Sequence, residues 1–496
     1  MAAVDLGSNS FQVLVATYSQ GQLKVVDRIR EMVRLAAGLD DNQCLDTASQ
    51  ERALDCLARF GERLRDIPPE RVRAVGTNTL RKARDPAEFM AQAEERLGHS
   101  IDVISGIEEA RLIYVGVSRT LPELQGNQLI VDIGGGSTEL AGGTGYHPNT
   151  LESLYMGCVG VSRKFFPGGK ISARRFRKAR TAASLELRSV ADRYRQIHWD
   201  RIAGASGTAR AAANVLAELG WIDRSITLES LEQLADLMVE QGHVEKLELP
   251  GLSAQRAPVF PGGVAILLEV MAELRVEDLA VTQGSLREGI LYDLVGRSSE
   301  EDSRLRTVRA MAERYHVNQD QADRVEQTAL LLFEQLADDW KLRQPATRQL
   351  LAWAARLHEI GLDIAHSHYH HHGAYLLEHS DMPGFHRDEQ KILAGVVAGH
   401  RRKFATDYIE DVAPKGERKM ATRLAIILRL AVLFNRNHIH ELPDSLQVSA
   451  GGRTISLCLA DEWLQANPLT LADLQLETTN MSHGGYELDL VSPDAD

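Results

Sequence analysis

Apolar and polar residues follow one another along the first part of the chain in the order of strands, turns and helices. Three apolar runs rich in β-branched residues, "AAVDLG", "FQVLVATY" and "QLKVVDRIR", predict three successive strands with a turn at Gln20-Gly21. Residues 47–67 then have apolar side chains at helical spacing, and we expect Thr47 or Ser49 as the N-cap. Because strand and helix patterns keep alternating to about residue 298, we predict an α/β fold.

The strand-to-loop pattern at the amino terminus occurs a second time. Asp5 lies near the end of the first predicted strand and is followed by glycine and small polar residues. Asp132 has the same place in "IVDIGGGSTEL", and the two aspartates are 127 positions apart. A duplicated α/β domain is the economical explanation, and it predicts that the two loops face each other across a cleft.

The second loop contains three consecutive glycines, Gly134, Gly135 and Gly136. Each costs about 0.5–1 kcal/mol relative to alanine, so a bare backbone must be needed there. Bare backbone lets consecutive N–H groups approach phosphoryl oxygens, and Ser137 adds a hydroxyl donor. A tight strand turn would also explain one such loop, but two loops in matched contexts favour phosphate binding.

Carboxylates flank both loops. Asp132 and Glu139 would repel a phosphate unless a divalent cation lay between them, and hard oxygen ligands suit Mg²⁺. Asp5 supplies a third carboxylate to the same cleft. The sequence therefore predicts a magnesium site at these three residues.

Two further charged positions each allow two interpretations. The pair Glu108-Glu109 begins a predicted helix, where the dipole favours carboxylates, but one of the two could instead activate water as a general base. Arg81 follows "GTNTL" and is either a surface arginine or a group that holds a terminal phosphate. Both pairs of alternatives stay open at this point.

The later part of the chain has a different pattern. The polar stretch "GRSSEEDSR", residues 296–304, predicts a linker, and helical patterns follow it to about residue 436. The tail "SLQVSAGGRTISLCLA" predicts a hairpin around Gly451-Gly452, and "YELDLV" predicts a third strand. We expect a helical region followed by a small α+β region.

Composition restricts the class of protein. Of 496 residues, 44% are hydrophobic and 25% charged, as in soluble globular proteins. The most apolar helical patterns contain Glu269 and Arg429, which favours buried helices over membrane spans. Four scattered cysteines and an amino terminus without a basic, apolar leader indicate a cytoplasmic location. A net charge of −13 disfavours nucleic-acid coating but allows a polyanionic substrate.

Taken in order, "AVDLGSNSF", "VRLAAGL", "VGTNTLR", "VISGIEEARLIYVGV", "VDIGGGSTEL", "MGCVGVSRKFFPGG", "GASGT" and "GSLREGILYDL" resemble the exopolyphosphatase and guanosine pentaphosphate phosphatase family over essentially the whole chain. The resemblance implies duplicated actin-like (ribonuclease H-like) ATPase-type α/β domains, an all-helical HD-like domain and a small carboxy-terminal α+β domain. The implied boundaries are 1–112, 113–298, 299–436 and 437–496.

The resemblance also implies a Mg²⁺-dependent phosphoanhydride hydrolase that releases orthophosphate from a chain end. It gives Glu109 as the general base and Arg81 as a phosphate clamp, with Asp5, Asp132 and Glu139 linked to the metal. The implied phosphate-binding residues are Ser8, Asn9, Ser10, Gly134, Gly135, Gly136, Ser137 and Gly207. It further implies a homodimer and allows peripheral attachment to the inner face of the cell membrane.

The sequence allows three functions. "VGTNTLR" and "FFPGGKI" favour exopolyphosphatase acting on inorganic polyphosphate, whereas "VRLAAGL" favours the alternative, a guanosine pentaphosphate (pppGpp) phosphohydrolase. A non-catalytic sensor of polyphosphate or alarmone would not need Glu109 and stays open. An ATP-driven motor is disfavoured because Gln283-Gly284 stands where an adenosine-binding glycine pair is expected. We expect exopolyphosphatase.

The helical region resembles an HD-type phosphohydrolase domain at His358-Glu359. Glutamate is one methylene longer than the usual aspartate, so we expect a structural or polyphosphate-channel role there and no second catalytic centre. The histidines of "HSHYHHH" could bind metals adventitiously, and "GHRRK" is a small basic patch.

Overall fold

The computed structural model describes residues 1–19, 22–40, 42–84, 86–122, 125–296, 302–404, 406–436, 442–443 and 446–491. The chain divides into two compact units, Met1–Glu301 and Asp302–Asp496. The predicted turn at Gln20-Gly21 lies outside the described residues, as do residues 297–301 of the predicted linker.

The first unit contains two sheets, of five and six strands. The first sheet has the order β3-β2-β1-β4-β5 and the second β10-β11-β9-β6-β7-β8. Their bounds are β1 Ala2–Leu6, β2 Phe11–Ser19, β3 Gln22–Glu31, β4 Val72–Gly76, β5 Ile101–Val103, β6 Asn127–Ile133, β7 Thr138–Thr144, β8 His147–Leu154, β9 Arg201–Gly204, β10 Ile226–Thr227 and β11 Asp278–Val281.

The two sheets have the same core topology. β1 pairs antiparallel with β2 and parallel with β4, while β6 pairs antiparallel with β7 and parallel with β9. Each sheet therefore consists of an antiparallel meander followed by parallel strands, and β10 is an addition at the edge of the second. The predicted duplication of an α/β domain is confirmed.

The helices of the first unit follow the predicted alternation. Their bounds are α1 Thr47–Leu64, α2 Asn78–Lys82, α3 Ala87–Leu97, α4 Gly106–Ser118, α5 Cys158–Phe165, α6 Ala173–Leu187, α7 Ala191–Arg195, α8 Gly207–Glu218, α9 Leu228–Gln241, α10 Phe260–Leu274 and α11 Leu286–Gly296. The predicted cap of α1 is wrong. The Asp46 side chain accepts the Ser49 N–H at 2.6 Å, so an aspartate just before the helix makes the cap.

The closing helix of each half packs on the sheet of the other half. α4, which follows the first sheet in sequence, packs on β6, β7 and β8, and α11 packs on β1, β2 and β4. The two helices also cross each other closely. A Cβ on Gly289 would lie 1.8 Å from the Leu112 carbonyl oxygen, and one on Gly116 would lie 2.1 Å from that of Ser285. Glycine is therefore required at both positions for this crossing.

The apolar helix α10 belongs to the core of the first unit. The stretch Ala257–Leu274 is long and apolar enough to cross a membrane by length and composition, but most of it is buried inside the protein. Its buried carboxylate, Glu269, accepts from Arg180 Nε at 2.5 Å. These observations account for α10 as the buried helix that its pattern predicts.

The second unit is helical and ends in a three-stranded sheet of order β12-β13-β14. The helical region, the hairpin and the third strand match the predicted pattern. The bounds are α12 Ser303–Arg314, α13 Gln319–Leu336, α14 Pro345–Leu357, α15 Tyr369–His379, α16 Arg387–Gly399, α17 Thr406–Val412, α18 Arg418–Phe434, β12 Gln447–Gly451, β13 Thr454–Cys458, α19 Asp461–Ala466, α20 Pro468–Ser482 and β14 Glu487–Val491.

The division into four domains stays a prediction. Its first boundary, at residue 112, falls within α4, a continuous helix of 13 residues. In the second unit, the buried Arg429 of α18 pairs with Glu477 of α20 at 2.6 Å. That ion pair joins the helical part of the unit to the helix that precedes β14.

Candidate active site

Equivalent strand ends of the two sheets carry the predicted acidic residues. Asp5 on β1 lies opposite Gln12 on β2, and Asp132 on β6 lies opposite Glu139 on β7. All four residues line one cavity. The duplicated hairpins therefore present equivalent pairs of residues to the same space.

The glycine loop between β6 and β7 is fixed by hydrogen bonds at its carbonyl groups. The Gly134 and Gly135 oxygens accept the N–H groups of Cys158 and Val159, at 2.9 and 3.0 Å, where α5 begins. Among the described residues, neither the Gly135 N–H nor the Gly136 N–H donates a hydrogen bond. These two donors are available to an anion in the cavity.

The bare backbone of this loop is required by its neighbours and not by its dihedral angles, since none of the three glycines has a positive φ. A Cβ on Gly136 would lie 2.5 Å from Asn78 Oδ1, and one on Gly135 would lie 3.2 Å from Ser8 Cβ. The glycines thus let the second loop approach the first loop and the start of α2.

The carboxylates around the cavity are crowded and buried. Glu139 is 1% exposed and Glu109 8%. Burial raises the pKa of Asp5 to about 7 and that of Asp132 to about 6, and nearby carboxylates add to both shifts. Burial, together with Glu109 and Asp132, raises the pKa of Glu139 well above its usual range. Burial and mutual repulsion therefore both oppose the charged forms of these carboxylates.

The fit to a divalent cation follows from this donor set. Four carboxylates share one cavity, where burial and neighbouring carboxylates raise the pKa values of Asp5, Asp132 and Glu139. Oxygen ligands of this kind suit a hard cation such as Mg²⁺. Asp5, Asp132 and Glu139 are the residues present that could hold one.

The two adjacent glutamates of α4 have different surroundings. Glu109 lines the cavity and accepts from Arg81 Nη1 at 2.8 Å. Glu108 belongs to a buried ion-pair cluster with Arg73, Arg111 and Asp293. The structure therefore separates the alternatives that the sequence left open: Glu108 is structural, and Glu109 faces the cavity.

Arg81 contacts Glu109 on the side of that residue away from the cavity lining. It also donates to the Ile104 carbonyl at 2.9 Å, and it is absent from the described residues that line the cavity. Its direct contact is thus a carboxylate, and its role as a phosphate clamp stays a prediction.

Every other predicted site residue lines the cavity. Gly207 begins α8, where Ser206 caps the helix through its hydroxyl. The lining includes Asp5, Ser8, Asn9, Ser10, Glu109, Asp132, Gly134, Gly135, Gly136, Ser137, Glu139 and Gly207.

Four arginines of the cavity were not predicted: Arg30, Arg210, Arg256 and Arg287. Within the described part of the chain, none of them has a carboxylate oxygen within 4.0 Å. Burial lowers the pKa of Arg30, and repulsion from Arg256 and Arg287 lowers it further. Burial also lowers the pKa of Arg210. A cluster of like charges without carboxylate partners suits an anion.

The sequence held a signal for two of these arginines. Arg210 follows the motif "GASGT" after one residue, and Arg287 lies within the motif "GSLREGILYDL". Arg30 lies opposite Gln12 across β2 and β3, a pairing that depends on strand register. Arg256 stands alone before α10 and carries no local signal.

Comparison with known families gives two matches in tandem. Residues 14–298 match the model of the Ppx/GppA phosphatase family, and residues 303–478 match the model of Ppx/GppA phosphatase domain III.

Known proteins match over nearly the whole chain. A protein of Vibrio cholerae serotype O1 named guanosine-5'-triphosphate,3'-diphosphate pyrophosphatase is 40% identical over 489 residues, covering 99% of this chain and 97% of that protein. A protein of the same name from Aeromonas hydrophila is 39% identical, covering 98% of this chain and 97% of that protein.

Solved structures match part of the chain. A Ppx/GppA enzyme of Aquifex aeolicus is 26% identical with a TM-score of 0.51, covering 58% of this chain and 97% of that chain. An exopolyphosphatase of Cytophaga hutchinsonii is 22% identical with a TM-score of 0.53, covering 60% and 97%, and this likeness concerns the fold alone. The predicted fold class, duplicated actin-like domains followed by a helical region, is confirmed.

Proposed function

Because this chain belongs to the Ppx/GppA phosphatase family, and so is a phosphoanhydride hydrolase, we propose that its substrate is guanosine 5′-triphosphate 3′-diphosphate. The terminal 5′-phosphate would be released as orthophosphate. The names of relatives that match 98–99% of the chain support this alternative over the exopolyphosphatase that two short motifs favoured. The motifs "VGTNTLR" and "FFPGGKI" span few residues, whereas the relatives are 39–40% identical throughout.

The observation that carries this proposal is the division of charge within one cavity. Carboxylates of both hairpins lie together, and four arginines without a carboxylate partner among the described residues line the same space. A substrate with two separate phosphate groups needs one phosphate at the reacting centre and cationic side chains for the others. We assign the second role to Arg30, Arg210, Arg256 and Arg287.

The chemistry assigned to the chain's own residues begins with water. Glu109 would accept a proton as water attacks the terminal phosphorus, forming one P–O bond while the bridging P–O bond breaks. Burial raises the pKa of Glu109, which makes it a stronger base, and Arg81 at 2.8 Å opposes its protonation. The products are orthophosphate and guanosine 5′-diphosphate 3′-diphosphate.

The transferred phosphate would be held by the glycine loop. The N–H groups of Gly135 and Gly136 have no acceptor among the described residues, and Ser137 adds a hydroxyl. Fixed donors of this kind stabilise charge that develops in a transition state without reorganising. Mg²⁺, held by Asp5, Asp132 and Glu139, would supply further neutralisation of phosphoryl charge when bound.

The test compares substrates directly. Orthophosphate release with Mg²⁺ is measured on pppGpp and on long-chain polyphosphate in parallel, and we expect the higher kcat/KM with pppGpp. Preference for polyphosphate would overturn the choice of substrate and restore the exopolyphosphatase prediction.

A variant separates the enzyme from the non-catalytic sensor. Glu109→Gln should lower kcat by at least 100-fold while pppGpp still binds, because only the proton acceptor is lost. Glu88→Gln, an exposed glutamate of α3, is the matched control. Unchanged turnover in Glu109→Gln would contradict the assignment of the base.

Homodimer formation, a cytoplasmic location and peripheral membrane attachment stay predictions of the resemblance.

A further inference from the structure

Five histidines lie within residues 366–372 of the second unit, and three of them meet at the start of α15. One ligand atom each of His368, His370 and His371 lies within 4.8 Å of the other two. The ring centroids of His370 and His371 are 4.2 Å apart, and that of His368 is 6.0 Å from His371 and 6.2 Å from His370. Three imidazoles therefore surround one small volume.

The middle histidine has an unsatisfied nitrogen. His370 is 3% exposed, and its Nδ1 has no hydrogen-bond partner. A buried polar atom without a partner is rare in folded proteins and indicates a water or an ion at that position. The other two rings are exposed, so they can turn towards this atom.

We propose that His368, His370 and His371 bind one divalent transition-metal ion of the Zn²⁺, Co²⁺ and Ni²⁺ class. Imidazole nitrogen suits these ions, whereas Mg²⁺ and Ca²⁺ prefer oxygen. With metal–nitrogen bonds of about 2.0–2.1 Å in tetrahedral geometry, ligand atoms lie about 3.4 Å apart. The present separations therefore have to shrink by about 1.4 Å at most, which rotation of the two exposed side chains provides.

The surrounding charges select the kind of metal. Arg401 and Arg402 repel any cation, and the start of α15 is the positive end of its dipole. Only an ion that forms strong bonds to nitrogen would offset this repulsion.

Such an ion would fix the beginning of α15. His368 precedes the helix as its N-cap residue and has a left-handed backbone, with φ of 57°. His370 and His371 lie in the first turn of the same helix. A metal bound to all three would join the strained residue to the helix that follows it, and so would stabilise the second unit.

The test is equilibrium binding of Co²⁺ to the full chain without an affinity tag, followed by its visible absorption. With Mg²⁺ in excess to occupy the carboxylates, we expect one Co²⁺ per chain, displaced by Zn²⁺. His371→Gln and His368→Asn should each weaken binding at least tenfold. Asparagine is chosen at 368 because it tolerates a positive φ.

His379→Gln is the matched control, because His379 lies in α15 but outside the cluster, stacked on Tyr375. It should leave Co²⁺ binding unchanged. Zn²⁺ should raise the midpoint of thermal unfolding of the natural chain and not that of His371→Gln. Binding that survives both cluster variants, equal weakening in His379→Gln, or no binding at micromolar Co²⁺ would overturn the proposal.

Discussion

The two duplicated hairpins place different residues at equivalent positions. In the first sheet, Asp5, Gln12 and Arg30 lie in one row across β1, β2 and β3. In the second, Asp132, Glu139 and Ser153 form the matching row across β6, β7 and β8. The shared aspartate contributes to one carboxylate cluster. At the other two positions, the first row has the amide of Gln12 and the cation of Arg30. The second row has the carboxylate of Glu139 and the hydroxyl of Ser153, which donates to that carboxylate at 2.9 Å.

The loops that follow the aspartates are also held alike. The Ser8 and Asn9 carbonyls accept the N–H groups of Ala36 and Arg34, just as the carbonyls of the glycine loop accept from the start of α5. The backbone architecture is therefore common to both halves, and the proposed cation-binding and anion-binding roles depend on a few side chains that differ between them. Substitutions at those side chains test this division.

The largest effect is expected when Glu139 of the second row is replaced by glutamine, the residue type at the equivalent position of the first row. Glu139→Gln should lower kcat at least 100-fold, about 2.7 kcal/mol, and raise the Mg²⁺ concentration needed for half-maximal rate. Steady-state rates over a Mg²⁺ series measure both. Glu152→Gln is the control, because Glu152 lies on β8 and pairs with Arg193 near the surface. An unchanged Mg²⁺ dependence would remove Glu139 from the metal site.

The next effect concerns the contact between the loops. Gly136→Ala places a Cβ 2.5 Å from Asn78 Oδ1, so we expect a loss of about 1–3 kcal/mol in unfolding free energy and at least tenfold in kcat/KM. Gly160→Ala, inside α5 with no neighbour within 4 Å, should stabilise by about 0.5–1 kcal/mol and leave turnover unchanged. Denaturant titration and kinetics of both variants decide this. Equal stability and equal kinetics of the two variants would contradict the close approach of Gly136 to Asn78.

A smaller effect is expected when Gln12 of the first row is replaced by glutamate, the residue type at the equivalent position of the second row. Gln12→Glu introduces an acid beside Arg287, which already donates to the Gln12 side chain. The new ion pair would compete with substrate phosphate, so KM should rise about tenfold with kcat nearly unchanged. Gln196→Glu, an exposed position, controls for the added charge. A fall in kcat at constant KM would place Gln12 in the catalytic step instead.

The smallest effect is on stability. Asp132 and Asp5 have pKa values of about 6 and 7 in the folded protein, above the ordinary value of 3.8. The folded protein therefore binds more protons than the unfolded chain between about pH 4 and pH 7, and stability falls as pH rises through that window. Without divalent metal, the midpoint of thermal unfolding should be several degrees lower at pH 7.5 than at pH 5.

Asp132→Asn should make that pH dependence shallower, and Mg²⁺ should do the same in the natural chain, because a cation replaces the missing protons. A midpoint that rises towards pH 7.5 in the metal-free protein would contradict the crowding of the carboxylates.

Local patterns made the acidic and glycine residues predictable. Asp5, Asp132 and Glu139 lie within a few residues of turn signals on strands, so their place at a strand end follows from the sequence. The arginines come from β3, α8, α11 and the segment before α10, and only strand register and helix packing bring them together. The same limit applies to Arg81, whose contact with Glu109 depends on where α2 and α4 meet.

Each half of the first unit depends on the other, because the last helix of each half covers the sheet of the other half. One half alone would leave bare the sheet face that the other half's helix covers, here β1 and β2 for α11 and β7 and β8 for α4. Two separate copies could cover both faces only by trading their last helices, as a domain-swapped dimer does. The present chain supplies both helices on one polypeptide, and we expect that fragments cut between the halves would need each other to fold.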